Sequence, residues 1–406
     1  MARQFYLNHI GNIYQAWESY RGDGITIAVI DVGFNPNHED FLFADGTSKV
    51  SPLSASFTTT GSQTATDVGI DKVVNMGESH GTFCAGVAAA AINGKGVVGI
   101  APNAGLLLLK TDCKPKSIAK AFHYAADNGA KVVTISIGSY YDYGGDLKDD
   151  GSDLSKVFNE PVSYCRSKGT VVVSAAGNGG LDGHPTEYTF PGATAGVIGV
   201  GGLAANSQDQ VWEGSSYNSS PQYRFADVFA PAEGMFGCCH YDGKLYDGYG
   251  WMGTSFASPQ VAGMAALYFQ KNPSATVDQF ESALYASCAP MEPTHCGAGR
   301  VDVGKLLGLT DQGTFAVTVQ GSWNSCYVYA WNLSTEKEIA PWPGVAMSKN
   351  GSTFTTSLDS GIYEHVIFSN GSNQTVDIAL SSFRFGKAYS LRQTTSFGDK
   401  LIGSYA

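Results

Sequence analysis

The chain has 406 residues, more than one ordinary domain, so two or three domains with at least one sizeable core are expected. With 43% hydrophobic and 15% charged residues and 50 glycines, it is neither a disordered chain nor a set of long helical bundles. A formal charge of −11 without a Lys/Arg cluster argues against a nucleic-acid partner, and no apolar run of about 18 residues marks a membrane-spanning helix.

The opening Met1-Ala2-Arg3-Gln4 is not followed by the apolar core of a signal peptide, so the chain as it stands is expected to be soluble and to carry no export signal. Short β-branched or Leu-rich runs at 25–30, 106–109, 132–137, 171–173 and 197–200 read as buried strands, with Asp31 at the carboxyl end of the first. Helical stretches at 117–128 and 154–168 lie between them, closed by Gly129 and Gly169, the residue type expected just past a helix end. This alternation predicts an α/β fold: a mainly parallel sheet with helices on both faces and functional residues at the carboxyl ends of strands. Beyond about residue 310 the helical periodicity stops. Alternating segments at 315–319, 326–331, 354–358 and 366–368, separated by Gly/Ser/Asn clusters, predict a small all-β sandwich-like domain. The junction falls at 308–313, giving domains 1–309 and 310–406.

Eight cysteines, at 84, 113, 165, 238, 239, 288, 296 and 326, are too scattered for a zinc site of paired Cys-x-x-Cys type. Cys288 and Cys296 flank a Pro-containing loop and could close a disulfide or stay reduced.

Three segments carry chemistry: Asp31-Val32-Gly33 after the first strand, 80–86 beginning with His80 and opening a small-residue helix, and Gly253-Thr254-Ser255-Phe256-Ala257-Ser258-Pro259 opening another. A serine hydroxyl is a weak nucleophile until a base takes its proton, and the base needs a carboxylate to fix its tautomer. Each residue alone has an ordinary explanation as a helix cap or a structural histidine. Together, in the order Asp, His, Ser and with glycine neighbours, they resemble the subtilisin family over roughly residues 10–305.

That resemblance implies a subtilisin-like fold and a secreted serine endopeptidase acting on polypeptides, with Asp31, His80 and Ser255 as the triad. By the same resemblance, Asn178 in the loop 175–180 would supply the oxyanion hole. Ser136, Ile137 and Gly138 would pair with an extended substrate, and Ala176, Gly177 and Thr189 would complete the pocket for the side chain before the scissile bond. No carboxylate stands at those positions, although Asp142 and Glu187 are near in sequence, so an apolar or broad preference is expected. Tyr140 and Tyr141 depart from the family's glycine-rich pattern.

Asp40 and the segment 91–97 resemble the family's calcium loop, with Asp40, Asn93 and loop carbonyls as oxygen ligands for a structural Ca²⁺. The segment also reads as an ordinary Asn-Gly turn. Cys84, four residues after His80, is expected to share its helix face as a buried thiol. His38, His123 and His365 lie in segments that need no catalysis to explain them. An esterase, a transpeptidase or a catalytically silent binding protein are alternatives that share these residues.

The segments Tyr327-Val328-Tyr329-Ala330-Trp331, Trp342-Pro343-Gly344 and 365–377 resemble the starch-binding modules appended to bacterial amylases. Tyr327 and Tyr329 alternate on one strand and so share a face, leaving Val328 to the other. With Trp342 they would form a stacking platform for an α-glucan.

Overall fold

The computed structural model describes residues 4–406 apart from 78, 141–153, 188, 206, 208, 222–224, 241–243, 249, 293–294, 310–313, 333–336, 360–362, 364, 376, 380–388, 392–395, 398–399, 402–403 and 406. Two compact units emerge, residues 20–307, and residues 1–19 together with 308–406. The two short helices Tyr6–His9 and Ile13–Ser19 thus group with the C-terminal residues, whereas the sequence suggested the larger domain. The boundary expected at 309/310 adjoins residues outside the described set.

The larger unit is built on strands β1 (Thr26–Asp31), β2 (Ala55–Thr60), β3 (Gln63–Val68), β4 (Gly105–Thr111), β5 (Val132–Ile135), β6 (Val171–Ala175), β7 (Val197–Leu203) and β8 (Val228–Pro231). They form one sheet in the order β8-β7-β6-β5-β1-β4-β2-β3, parallel except for the β2–β3 hairpin at one edge. β1 lies between β4 and β5, with Ile30 beside Leu109 and Ile135, so its carboxyl end is flanked on both sides. A strand covered on both faces reads as a continuous apolar run, which is why these segments were visible in the sequence.

Helices α1 (His80–Ala89), α2 (Pro115–Asp127), α3 (Asn159–Ser167), α4 (Ser258–Lys271) and α5 (Val277–Ser287) follow. Ala28, Ile30, Leu107, Leu109, Val133 and Ile135 point to one face of the sheet and bury Ile118, Ala121 and Phe122 of α2 with Val162 and Cys165 of α3. The alternate residues, such as Ile27 and Val29, face α1 and α4 on the other side. Pro115 begins α2, where a missing N–H costs nothing, and Gly129 at φ +75° ends it.

The expected helix 154–168 is interrupted at Phe158 into Leu154–Val157 and α3. The strand expected over 132–137 stops at Ile135, which frees Ser136 and Ile137 from the ladder. No disulfide joins Cys288 to Cys296; each of the eight cysteines is a thiol.

In the smaller unit, β9 (Thr314–Gln320) pairs antiparallel with β11 (Thr353–Asp359), and β10 (Tyr327–Trp331) with β12 (His365–Ser369). Val319, Val328, Ala330, Phe354, Leu358, Val366 and Phe368 form the core between the two sheets, as expected for a sandwich.

Candidate active site

Asp31 is the last residue of β1 and is fully buried. Its Oδ1 accepts the Val32 N–H at 2.8 Å, and its two oxygens lie 2.9 and 3.0 Å from Nδ1 of His80. His80 begins α1 with its ring only partly exposed. Burial opposes its protonation, but the Asp31 carboxylate and the neighbouring Cys84 outweigh this and raise its pKa well above the ordinary 6.5. Cys84 stands where the helical spacing puts it, with Sγ 3.9 Å from His80 Nδ1 and 3.3 Å from the Ser255 carbonyl, and burial pushes its thiol pKa up.

Ser255 lies in the tight turn Thr254–Phe256 that leads into α4. Its Oγ donates to the Ser136 carbonyl at 3.1 Å, while Ser136 Oγ donates to the Ser255 carbonyl at 2.8 Å. Phe256 lies beneath the His80 ring at 5.6 Å and closes an aromatic cluster with Phe83 and Trp251. Nothing in the sequence pattern announced that cluster.

Asn178 follows β6 and turns its side-chain oxygen to Thr254, from which it accepts both the N–H (2.9 Å) and the hydroxyl (3.0 Å). Two donors on one oxygen fix the amide, so its NH₂ end is presented away from Thr254. Thr254 Oγ1 in turn accepts the Gly177 N–H at 3.1 Å, locking this loop to the turn that holds Ser255. Thr254, part of the motif around Ser255 but given no role from the sequence, is the residue that joins these two segments.

The remaining expected residues also converge. Thr189 donates to the Ala176 carbonyl at 2.5 Å, and Gly177, at φ +110°, lies against it so closely that a Cβ would stand 2.6 Å from Thr189 Cγ2. Ser139–Tyr140 pairs antiparallel with Thr189–Phe190, and Gly138 lies against the Phe190 carbonyl. Tyr141 and Asp142 lie outside the described residues. His38 and His123 occupy structural positions, bonded to Leu245 and Glu160 respectively.

The Asp40 loop does not have the donor set of a calcium cage. Asn93 points its NH₂ at the carbonyls of Glu39 (2.9 Å) and Leu42 (3.1 Å), and its oxygen already accepts the Lys95 N–H at 2.9 Å. Asp40 Oδ2 accepts the Val97 N–H at 2.8 Å. Calcium needs about six to eight oxygens turned inward, and here the Asn93 oxygen and Asp40 Oδ2 are already engaged by N–H groups, while Asp40 Oδ1 alone is left buried without a hydrogen-bond partner. Lys95 pairs with Glu39, and Tyr246 covers the loop, its ring against Gly96 and its hydroxyl donating to Glu39 at 2.9 Å. His38, Asp40 and Cys238 cluster behind, but His38 Nδ1 accepts the Asp40 N–H at 3.1 Å and its Nε2 faces the Leu245 carbonyl.

In the smaller unit, Tyr327, Tyr329 and Trp331 face one side of β10, while Val328 and Ala330 enter the core. Trp342 is 48% exposed, with its ring 5.4 Å from that of Tyr329. Trp331 lies 5.4 Å from Tyr329 on the other side and stacks on His365 at 5.3 Å, and Asp377 holds His365 Nδ1 at 2.8 Å. Trp331 and His365 thus adjoin the residues expected to form a platform, contacts that the sequence alone did not indicate. Gly344 at φ +97° lets the Trp342 loop lie on the Val328 carbonyl, where a Cβ would approach to 2.0 Å.

Residues 22–302 match the subtilase family, and residues 318–379 match starch-binding module 26. The chain is 32% identical to thermitase of Thermoactinomyces vulgaris over 268 residues, covering 64% of this chain and 81% of that protein. It is 29% identical to subtilisin DY of Bacillus licheniformis over 292 residues, covering 70% and 92%. A solved protease from Pseudoalteromonas arctica aligns with a TM-score of 0.59 at 25% identity, over 75% of this chain and 96% of that one. Fervidolysin of Fervidobacterium pennivorans aligns at 0.59 and 24%, over 90% of this chain and 55% of that one, and shares the fold.

The hydrogen bonds at Asn93 predict that melting temperatures in chelator and in excess calcium coincide, whereas a bound ion would raise stability by mass action. Asn93→Ala, which strips both carbonyls of their donor, should lower the melting temperature under either condition, at a cost of about 1–3 kcal/mol. Differential scanning calorimetry on the full chain checks both outcomes.

Proposed function

The chain belongs to the subtilase family and is a serine endopeptidase, and on that premise we propose that it cleaves polypeptides through Asp31, His80 and Ser255 by way of an acyl-enzyme. The observation that carries this reading is the contact of the Asp31 carboxylate with His80 Nδ1 at 2.9 and 3.0 Å, which leaves Nε2 as the nitrogen able to take a proton from Ser255. The Ser255 hydroxyl turns from the Ser136 carbonyl to the imidazole, and Oγ attacks the scissile carbonyl as His80 takes its proton. The tetrahedral oxygen receives the Asn178 amide and the Ser255 N–H. His80 then returns the proton to the leaving amine, and water, deprotonated by the same nitrogen, releases the acyl group.

Ser136, Ile137 and Gly138 bind the substrate backbone in this reading, and Ala176, Gly177 and Thr189 line the pocket. Gly177 and Ala176 offer no charge, and the Thr189 hydroxyl is engaged at Ala176, which supports an apolar or broad preference. The peptidase domain is assigned to 1–309 and a β-sandwich domain to 310–406; the family matches at 22–302 and 318–379 fall within these bounds, while residues 1–19 lie outside both matches and group with the smaller unit. The second domain binds α-glucan on Tyr327, Tyr329 and Trp342. No helix among the described residues is long and apolar enough to cross a membrane. The extracellular setting is assigned from the family membership alone.

A fluorophosphonate should label Ser255 alone, read by peptide mass spectrometry, and Ser255→Ala should abolish both labelling and peptide cleavage while leaving the melting curve cooperative. Labelling elsewhere, or cleavage by the alanine variant at the wild-type rate, overturns the assignment.

The pH dependence follows from the base. His80 acts only when neutral, and its pKa is raised above 6.5 mainly by Asp31 acting against burial, so kcat/KM should rise with pH along a limb above 6.5. Asp31→Asn should move that limb to lower pH and reduce kcat by about 10⁴-fold. Folding stability runs the other way. Because the folded-state value is the higher one, the pairing contributes fully below pH 6.5 and is lost as pH rises through the folded-state value.

For the second domain, full-length Ser255→Ala protein should be retained on insoluble starch and show saturable binding of maltooligosaccharides in titration calorimetry. Trp342→Ala should weaken that binding at least tenfold without changing the melting temperature, since the ring is half exposed.

A further inference from the structure

His240 stands apart from every motif in the chain, yet its contacts reach both sides of the Asp31–His80 pair. It is buried on the segment after the short strand Gly237–Cys238. Its Nε2 lies 2.8 Å from the Asn75 carbonyl, which can only accept, so that nitrogen carries the proton. In the neutral ring Nδ1 is then an acceptor, and Thr82 Oγ1 lies 3.0 Å from it. The Thr82 hydroxyl donates to the ring and accepts the Asn35 N–H at 2.8 Å. The His240 backbone N–H donates to Ser79 Oγ at 3.0 Å.

These contacts close a circuit. Ser79 and Thr82 bracket His80 at the start of α1, so one residue grips the helix on either side of the catalytic base. Asn75 bonds forward to the segment after Asp31, its Nδ2 to the Val32 carbonyl at 3.1 Å and its N–H to the Phe34 carbonyl at 3.1 Å. Asn35, at the end of that segment, returns to Thr82. The path Val32–Asn75–His240–Thr82–Asn35 therefore ties the loop that follows Asp31 to the helix carrying His80, independently of their mutual hydrogen bond.

We propose that His240 is a positioning residue for catalysis, setting the angle and distance of the His80 imidazole to Asp31 by fixing the helix start against the loop after β1. The proposal rests on the triad reading above. Ser79, Thr82 and His240 are buried and Asn75 is partly buried, so most of the circuit lies where a hydrogen bond is stronger than in water. Misplacing a reacting group by about 1 Å costs on the order of 10²-fold in rate.

Three substitutions separate the links. His240→Gln keeps a donor near the Nε2 position for Asn75 and loses the acceptor for Thr82. His240→Asn keeps an acceptor near Nδ1 and loses Asn75. His240→Ala loses both. Rates are expressed per site titrated with the fluorophosphonate, which counts only folded, competent molecules. His240→Ala should lower kcat by about 10- to 100-fold with KM changed less than about threefold. The Gln and Asn variants should fall between it and wild type, and the acid-side limb of kcat/KM, along which the rate rises with pH, should move toward lower pH as the Asp31 contact loosens. In the Asp31→Asn background the same substitutions should cost less than about twofold, because the pair on which His240 acts is already gone. If His240→Ala does not fold, the Gln and Asn variants carry the test. Wild-type kcat per titrated site with an unmoved limb in all variants that fold, or full additivity with Asp31→Asn, overturns the proposal. Failure of Ser255 to be labelled in the wild-type chain would instead overturn the triad reading itself.

Discussion

A carboxylate removed from water is unstable unless its oxygens are held, and Asp31 is fully buried at the centre of the larger sheet. The Val32 N–H and the His80 ring hold it, and both depend on where β1 stops. Because β4 and β5 run alongside β1 to the same level, the strand end is dry. The charge is then forced onto whatever donor stands opposite. That donor comes from α1, which can approach only because Gly81 has no side chain: a Cβ there would lie 2.4 Å from the Gly33 carbonyl and 2.9 Å from Asp31 Cβ. Removing one partner of a buried pair costs about 3–5 kcal/mol, so the groups that would do the chemistry also hold the fold together at this point.

The nucleophile side is governed by a second close approach. Helices α1 and α4 pack with Gly263 against Ile100 and the Ala88 carbonyl, where a Cβ would come within 2.5 and 3.0 Å. The Cys84 thiol then reaches the Ser255 carbonyl from α1, and Ser136 reaches it from the end of β5. A side chain of ordinary size at any of these positions would separate the helix that begins with the base from the one that follows the nucleophile. The run of Ala and Gly in α1 serves this approach, since every residue after His80 in that helix is buried.

What was legible in the sequence tracks these physical demands unevenly. Strands β1, β4, β5, β6 and β7 are buried on both faces and announce themselves as apolar runs. The hairpin β2–β3 was missed because its threonines and exposed residues alternate at a sheet edge, and β8 because four residues ending in Pro carry too little pattern. The proposed triad, Asn178 and the proposed pocket residues come from short motifs whose spacing survives in the linear text, and folding brings Asp31 to His80 and Asn178 to Thr254. His240, Thr254, Trp331 and His365 take their contacts from partners that only folding supplies. Val132–Ile135 ends earlier than the apolar run, and the Ser136 carbonyl just beyond it accepts the Ser255 hydroxyl.

The Asp40 loop shows why residue identity is weaker evidence for a metal than for a triad. A triad is defined by which groups meet, whereas a cation site is defined by which end of each group faces inward. Asn93 and Asp40 are oxygen-bearing residues in a segment of the expected kind, but the Asn93 amide is turned so that its hydrogens lie between the Glu39 and Leu42 carbonyls. Positive charge is supplied by side chains instead. Lys95 supplies it in its pair with Glu39, whereas the buried Lys49, its pKa lowered to about 7 by desolvation, donates to the Ala89 and Pro102 carbonyls and carries only part of a charge at neutral pH. Tyr246 arrives from a hairpin some 150 residues away in sequence to close over Gly96, a contact no local pattern could have announced. A loop stabilised in this way carries its positive charges in the chain itself, and its stability is set by packing and hydrogen bonds that folding alone provides.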